Sequence, residues 1–256
     1  MRWKKYLSAG LQITLLTLAA TVATADGNLL EKAVREGDLE AIRGFASSNT
    51  GADIDINSSD HTGKNALMVS AKAGDPVLVD LLLTQGADPH STNNNGGTPL
   101  MFAAISGNVI IINQLLELDV EVNLRGSNGW GALMIAAAKG HEDATIVLLN
   151  AGADVNTRDV YHWTPLHRAA YENRIEIVKI LLKHAEILPD AIDDQGATAL
   201  HHAAAQGHSE VAIALLEQGA KSDKMDGEGR TPAQYALESG HQNLVELLGE
   251  MSTQVN

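Results

Sequence analysis

A short motif recurs along this chain at an almost constant spacing, and this repeat constrains the fold more than any other feature. The intervals between successive copies are 33, 33, 33, 34 and 33 residues, counted along one shared column. The column reads Leu67, Leu100, Leu133, Leu166, Leu200 and finally Ala233. A regular period of this length is typical of a solenoid, in which each unit contacts only its neighbours along the stack.

Each copy encodes two short helices joined by turns. In "TPL", as at Thr164–Leu166, the threonine caps a helix and the proline occupies its first turn. An alanine-rich helix follows, as at 136–138, and Gly140 breaks it. A second helix shows apolar spacing, as at Val211 and Leu215. Such a unit cannot bury its apolar face alone, so the sequence predicts an all-α repeat solenoid with short β-hairpin or loop projections.

These units resemble ankyrin repeats. The family pattern includes "G-x-TPLH-x-AA-x-x-GH" and "LL-x-x-GAD-x-N". The chain matches it at Thr164–His167, at Gly152–Asn156 and at Gly86–Asp88. The resemblance extends over about residues 28–250 and implies a stack of helix-turn-helix units. It also implies that the hairpin tips and the first helices form a concave surface that binds partners.

The resemblance predicts one repeat domain over residues 26–256, with about seven units. We predict an N-terminal cap at 28–59 and a C-terminal cap at 226–250, because these two units depart most from the pattern. His162 replaces a turn glycine in the fifth unit, which predicts a positive φ at that residue. The fifth unit also has one extra residue and Pro189, so we expect an altered turn before the sixth unit.

The N-terminal segment 1–25 has the order of parts of a secretory signal peptide. Three basic residues lie within the first five positions, an apolar run covers about 7–22, and Ala23–Ala25 forms a small-residue cleavage site. We predict cleavage after Ala25 and a periplasmic or secreted protein. The alternative is an uncleaved anchor, which would still export the domain.

Charge and cysteine content exclude several classes of function. The chain has 18 basic and 32 acidic residues, a net charge of −14. Removal of the leader takes three basic and no acidic residues, which leaves 15 against 32, or −17. This charge disfavours binding to nucleic acid and, once the leader is removed, to anionic membranes. Because the chain has no cysteine, it has no disulfide, cysteine-based zinc site or thiol nucleophile. We expect a monomer that binds another protein.

The rare aromatic side chains mark the candidate binding site, because only 4% of residues are aromatic. Trp130 and Trp163 are 33 residues apart and so occupy the same slot on consecutive hairpins. Aromatic and arginine side chains are typical of the residues that dominate interface energies. The alternative is that the two indoles pack on each other and on the hairpin stems. The predicted partner-binding residues are Trp130, Trp163, Tyr161, Tyr171, Lys139, Arg168, Asn128 and Asn95.

The histidines have structural explanations in the repeat. His167 and His201 lie three residues after a capping threonine, where an imidazole can bond back to the helix start. His141, His208 and His241 occupy the "GH" turn between the two helices. A haem or metal carrier that uses surface histidines such as His202 and His208 remains an alternative. The sequence predicts no catalytic residues, no metal site and no cofactor, since hydrolytic and phosphate-binding motifs are absent.

The function predicted from these features is a non-catalytic interaction scaffold that is exported from the cytoplasm. The leader and the compact array resemble small exported bacterial ankyrin-repeat proteins, some of which are linked to oxidative-stress defence and support a haem catalase. That resemblance implies a catalase-like partner. A further alternative is an inhibitor or immunity-type module that binds a co-exported enzyme.

Overall fold

A computed structural model describes residues 29–47 and 55–254, so the predicted signal peptide lies outside the described residues. Fourteen helices form seven pairs within these ranges, and we number the pairs as units one to seven. The helices are α1 (29–36), α2 (Leu39–Ser47), α3 (Ala66–Ala73), α4 (Pro76–Thr84), α5 (Pro99–Ser106), α6 (Val109–Leu116), α7 (Ala132–Lys139), α8 (Glu142–Asn150), α9 (Pro165–Tyr171), α10 (Ile175–Leu182), α11 (Ala199–Gln206), α12 (Ser209–Glu217), α13 (Pro232–Glu238) and α14 (Gln242–Gln254). The all-α solenoid predicted from the sequence is confirmed.

The helices stack in two layers. The first helices of units two to seven pack in the order α3, α5, α7, α9, α11, α13, and the second helices pack from α2 to α12 in the same way. The leucine column lies buried at their interface, and alanine pairs such as Ala136 and Ala137 are fully buried beside it. Small side chains let neighbouring helices approach closely, so the core needs few aromatic residues. None of the described helices has both the length and the apolar composition needed to cross a membrane.

A loop precedes the first helix of units two to seven, and we call each of these loops a finger. The fingers are residues 60–65, 93–98, 126–131, 159–164, 193–198 and 226–231. In the described residues they contain no strand, and the one β-bridge joins Ser59 to Asn65. Each later finger donates a backbone hydrogen bond of 2.8–3.2 Å to a carbonyl of the finger before it, as Ser127 does to Asn95. These bonds fix the spacing of the fingers along one face.

Among the described residues, three other than glycine adopt a left-handed backbone, each in a column that glycine otherwise fills. They are Asp119 (φ 55°), His162 (φ 60°) and Asn173 (φ 55°). Aspartate, asparagine and histidine are the types that tolerate this conformation best after glycine. The positive φ predicted at His162 is therefore confirmed. In the fifth unit, α10 ends at Leu182 and no residue of 183–190 has a positive φ, which is the altered turn expected there.

Candidate partner-binding face

The capping histidines, His167 and His201, each form a hydrogen bond at the start of their own helix and another to the next unit. The Nδ1 atom of His167 accepts a hydrogen bond from the backbone N–H of Thr164 (3.2 Å), so its Nε2 donates to the carbonyl of Ala197 in the next unit (3.2 Å). His201 repeats the arrangement with the N–H of Thr198 (3.1 Å) and a carbonyl of unit seven. Burial lowers the pKa of His167 to about 4 and also lowers that of His201. The predicted capping role is confirmed, and His167 is neutral at pH 7.

The "GH" histidines bind backward along the stack. The Nε2 atoms of His141, His208 and His241 donate to carbonyl oxygens of the preceding unit at 3.0–3.2 Å. His202 does not occupy this turn, and its Nε2 lies 2.8 Å from Oδ2 of Asp193. Among the described residues, no three histidine, aspartate or glutamate side chains converge in a way that could hold a metal ion. The structure therefore assigns these imidazoles to bonds within and between units.

In units five to seven, an aspartate at the base of each finger binds a polar side chain nine residues later, on the first helix. Asp159 binds Arg168. Asp193 binds His202 at 2.8 Å, and Asp226 accepts a hydrogen bond from the hydroxyl of Tyr235 at 2.7 Å. The other carboxylate oxygen of each aspartate accepts two backbone N–H groups of its own finger. Each carboxylate thus couples a finger to a helix.

Buried hydrogen bonds set the ionisation of these groups. Burial alone would raise the pKa of Asp193, but hydrogen bonds from His202 and from the backbone of Ala197 outweigh it and lower the pKa. Burial would also raise the pKa of Asp226, but hydrogen bonds from Arg230 and Tyr235 outweigh it and hold this pKa well below its usual range. Burial and the bond to Asp226 raise the pKa of Tyr235 to about 12. At neutral pH, Asp193 and Asp226 are ionised and the phenol of Tyr235 is neutral.

The two tryptophans have different surroundings. The guanidinium carbon of Arg168 lies 4.8 Å from the ring centroid of Trp130 and 4.2 Å from that of Trp163, so the cation sits between the two indoles. Trp163 also contacts His202, with centroids 4.2 Å apart, and the edge of Tyr171 at 5.4 Å. Arginine over an indole face is a favourable cation–π contact. Trp163 is therefore part of an internal cluster, whereas Trp130 is at its border.

On its other flank, Trp130 lines an open groove of about 470 Å³ between units three and four. The groove has a mainly apolar floor and walls. Four of the predicted residues line it, and sequence reasoning missed the apolar ones. The predicted ones are Asn95, Asn128, Trp130 and Lys139; the apolar ones are Met101, Phe102, Ile105 and Ile135.

The eight predicted residues thus divide into two groups and one outlier. Asn95, Asn128, Trp130 and Lys139 lie on the groove, as described above. Trp163, Tyr171 and Arg168 belong to the aromatic cluster. Tyr161 projects from its finger with 59% of its surface exposed. Its backbone carbonyl accepts the inter-finger bond from Asp194.

The apolar residues of the groove could have been found from the sequence by comparing two aligned positions of the repeat. Two positions after the leucine column, the first helices carry Val69, Phe102, Ile135, Arg168, His202 and Tyr235. Seven positions before it, the fingers carry Asp60, Asn93, Gly126, Asp159, Asp193 and Asp226. Reading the two columns together shows apolar helix residues in units two to four and acid–polar pairs in units five to seven. The groove lies where both columns lack a charged side chain.

The family model for ankyrin repeats (three copies) matches residues 30–126, 111–193 and 186–256. These matches cover most of the sequence, and the chain therefore belongs to the ankyrin-repeat family. Proteins built from such repeats generally act by binding other proteins rather than by catalysis. The described structure agrees with that family in its paired helices and fingers.

Several curated proteins are similar to parts of this chain. Human diacylglycerol kinase iota (Homo sapiens) is 39% identical over 82 residues, which is 31% of this chain and 8% of that protein. Palmitoyltransferase ZDHHC13 of Mus musculus is 39% identical over 61 residues, or 24% of this chain and 10% of that protein. Potassium channel AKT1 of Oryza sativa subsp. japonica is 47% identical over 49 residues, 19% of this chain and 5% of the channel. The chain thus spans a tenth or less of the length of these three relatives.

Proposed function

We propose that this protein is a non-catalytic interaction scaffold, and that its finger face binds a partner protein through the groove between units three and four. The observation that carries the proposal is the groove itself. It brings Trp130 together with Met101, Phe102 and Ile135 in a space that no side chain of the described residues fills. In units five to seven, the helix position that corresponds to Phe102 and Ile135 carries instead the arginine, histidine or tyrosine that binds the finger aspartate.

The chemistry of the groove favours protein binding. Aromatic side chains near the centre of an interface, surrounded by polar groups that exclude water, carry most of the binding free energy. Here a half-buried indole lies beside a buried phenylalanine and methionine, and exposed Asn95 and Asn128 form part of the rim. The finger-to-finger hydrogen bonds and the packed first helices hold these groups in place before a partner arrives. Such preorganisation lowers the entropy lost on binding.

Site-specific crosslinking tests which face binds. A photoreactive phenylalanine analogue at Asn128, on the finger rim, should capture a discrete partner in the native host, which mass spectrometry can identify. The matched control places the same probe at Ile110, which is 59% exposed near the start of a second helix and does not line the groove. Equal capture from both positions, or from Ile110 alone, would contradict the proposal.

Alanine variants test which tryptophan contributes to the free energy of partner binding. Trp130→Ala should weaken capture because it removes a wall of the groove, while its free energy of unfolding changes little. Trp163→Ala dismantles the aromatic cluster and should act mainly on stability. Partner capture is compared at equal folded fraction. Unchanged capture by Trp130→Ala would place the binding site elsewhere.

We also propose that the scaffold is exported and that its partner is an exported enzyme, for which a catalase in oxidative-stress defence is the specific candidate. The basic start, the apolar run and Ala23–Ala25 support export. The resemblance to small exported bacterial ankyrin-repeat proteins supports the choice of enzyme. N-terminal sequencing of the protein from its host tests cleavage after Ala25. A deletion strain with normal peroxide resistance and normal catalase activity would contradict the catalase candidate.

A further inference from the structure

The groove between units three and four differs in charge from the rest of the chain. Among the residues that line it, Lys139 is the one charged side chain, and there is no carboxylate. The whole chain has 32 acidic residues against 18 basic ones, so this lack of carboxylates is a local property. We propose that the groove receives an extended segment of the partner in which a bulky apolar side chain lies next to a carboxylate. This inference rests on the proposed function and specifies the chemistry of the ligand.

The bulky apolar side chain fits the floor of the groove. Met101 and Phe102 are only 4% and 8% exposed, so the floor is well packed and leaves its outer surface to a ligand. Ile105 and Ile135 form apolar walls, and Trp130 closes the side towards unit five. Arg168 already covers that indole from the unit-five side. The flank of Trp130 that lines the groove is the part left for a ligand to contact.

The carboxylate fits Lys139. This lysine ends α7, is exposed, and has no ion-pair partner among the described residues. Two arginines on the finger face differ, because Arg168 binds Asp159 and Arg230 binds Asp226. An acidic residue in the ligand would gain an ion pair with Lys139, and a basic one would be repelled.

The finger rim fits an extended backbone. Asn95 and Asn128 occupy the same position on consecutive fingers, both exposed. Oδ1 of Asn128 holds the N–H of Trp130 at 3.0 Å, which leaves its Nδ2 group to donate outward. Side-chain amides can donate to and accept from a peptide backbone. Because Asn95 and Asn128 follow one another along the stack, their amides orient the ligand backbone in that direction, across the top of the groove.

Selection from a random peptide library on the full chain tests the ligand chemistry. The most enriched peptide is then synthesised with a fluorescent label, and its dissociation constant is measured by anisotropy. Enriched peptides should share a bulky apolar residue beside aspartate or glutamate. Trp130→Ala should weaken binding at least tenfold, a loss of about 1.4 kcal/mol. Lys139→Glu should weaken it about fivefold, as expected for an exposed ion pair.

Two controls make the result specific. Lys183→Glu makes the same charge reversal on the exposed surface after α10, away from the groove, and should leave binding unchanged. Replacing the acidic residue of the peptide by lysine should restore binding to the Lys139→Glu variant. Urea unfolding of each variant confirms that the fold is intact before affinities are compared.

Several outcomes would overturn the inference: no enriched peptide, a preference for lysine or arginine beside the apolar residue, or no effect of Lys139→Glu. The proposed function fails differently. If the probe at Asn128 captures a partner while the enriched peptides lack an acidic residue, the interaction face stands and the ligand chemistry is wrong. If the probe at Asn128 also captures nothing, both proposals fall.

Discussion

Units two to four and units five to seven have the same backbone arrangement, but different side chains connect their first helices to their fingers. In units two to four, buried Met68, Met101 and Met134 follow the leucine column, and the next residue is apolar. In units five to seven, His167, His201 and Gln234 take the first position and bond back to the N-cap N–H. The next residue there binds a finger aspartate. The second half therefore uses its finger face for internal hydrogen bonds, and the first half leaves it open.

This difference teaches how a repeat protein makes one binding site from equivalent units. The fold requires the leucine column, the alanine pairs and the left-handed turns in almost every unit. It tolerates either an apolar residue or an acid–polar pair between finger and helix. Where the pair is present, a carboxylate joins the finger to the helix. Where it is absent, as at Gly126 and Ile135, a groove remains.

The largest effect should come from removing a finger carboxylate in the second half. Asp159→Ala leaves the guanidinium of Arg168 and two finger N–H groups without their acceptor, and the Asp159 side chain is fully buried. Breaking a buried ion pair costs about 3–5 kcal/mol. Equilibrium urea unfolding should show a loss of that size in the free energy of unfolding.

Two matched variants show whether the bond between Asp159 and Arg168 causes this loss of free energy of unfolding. Asp60→Ala removes the corresponding finger acceptor in unit two, where the helix residue is Val69, and should cost only about 1–2 kcal/mol. Asp159→Asn can keep the finger bonds, since Asn93 holds the same bonds in unit three, but it loses the charge. If Asp159→Ala and Asp60→Ala cost the same, the bond to Arg168 adds nothing and the contrast between the two halves fails.

The next largest effect is a dependence on pH that belongs to the second half. The folded protein protonates His167 near pH 4, because burial lowers its pKa, whereas an unfolded chain does so near 6.5. The unfolded state therefore binds more protons between these values. The stabilising contribution is complete above pH 6.5 and is lost as pH falls towards 4, by about 3 kcal/mol.

His167→Met gives this slot the residue found in the first half. At pH 7 the variant should lose about 2 kcal/mol, because the buried N–H of Thr164 loses its acceptor. Its free energy of unfolding should then vary less between pH 6.5 and 4.5 than that of the unmodified protein. His90→Gln, which removes an exposed imidazole, is the matched control variant. Parallel pH profiles for His167→Met and the unmodified protein would contradict the assignment.

A smaller effect should follow from moving the acid–polar pair into the groove. Gly126→Asp with Ile135→Arg recreates in unit four the spacing of Asp159 and Arg168. A double-mutant cycle should give a favourable coupling of about 1–2 kcal/mol, since each single change leaves one charge without a partner. The double variant should also fill the groove and abolish partner binding. A coupling near zero would mean that the pair depends on more of unit five than these two positions.

The sequence predicted the features that recur and missed those that depend on neighbours. The helices, the capping role of His167 and the left-handed backbone of His162 follow from local patterns, so one unit is enough to infer them. The position of Arg168 between two indoles depends on side chains from two units at once. The sequence predicted the same partner-binding role for Trp130 and Trp163 because both occupy the same column of the repeat. Their different surroundings come from Arg168 and His202, which lie in the next unit along from each indole.

The smallest effect concerns a turn in which unit five alone, among units two to seven, departs from glycine. His162 holds a φ of 60°, where Gly63, Gly96 and Gly129 occupy the equivalent turns of units two to four. His162→Gly removes a conformational cost of about 1 kcal/mol but adds freedom to the unfolded chain. The free energy of unfolding should therefore rise by about 0.5 kcal/mol or less in urea titrations.

The reciprocal change, Gly229→His, tests the same turn in the last unit. A Cβ added there meets nothing within 4 Å, so only the backbone conformation opposes it. It should cost about as much as His162→Gly gains, because the two changes exchange the same residues in the same turn. A much larger loss would show that His162 is held by contacts specific to unit five, and that this turn differs between the units in more than its residue type.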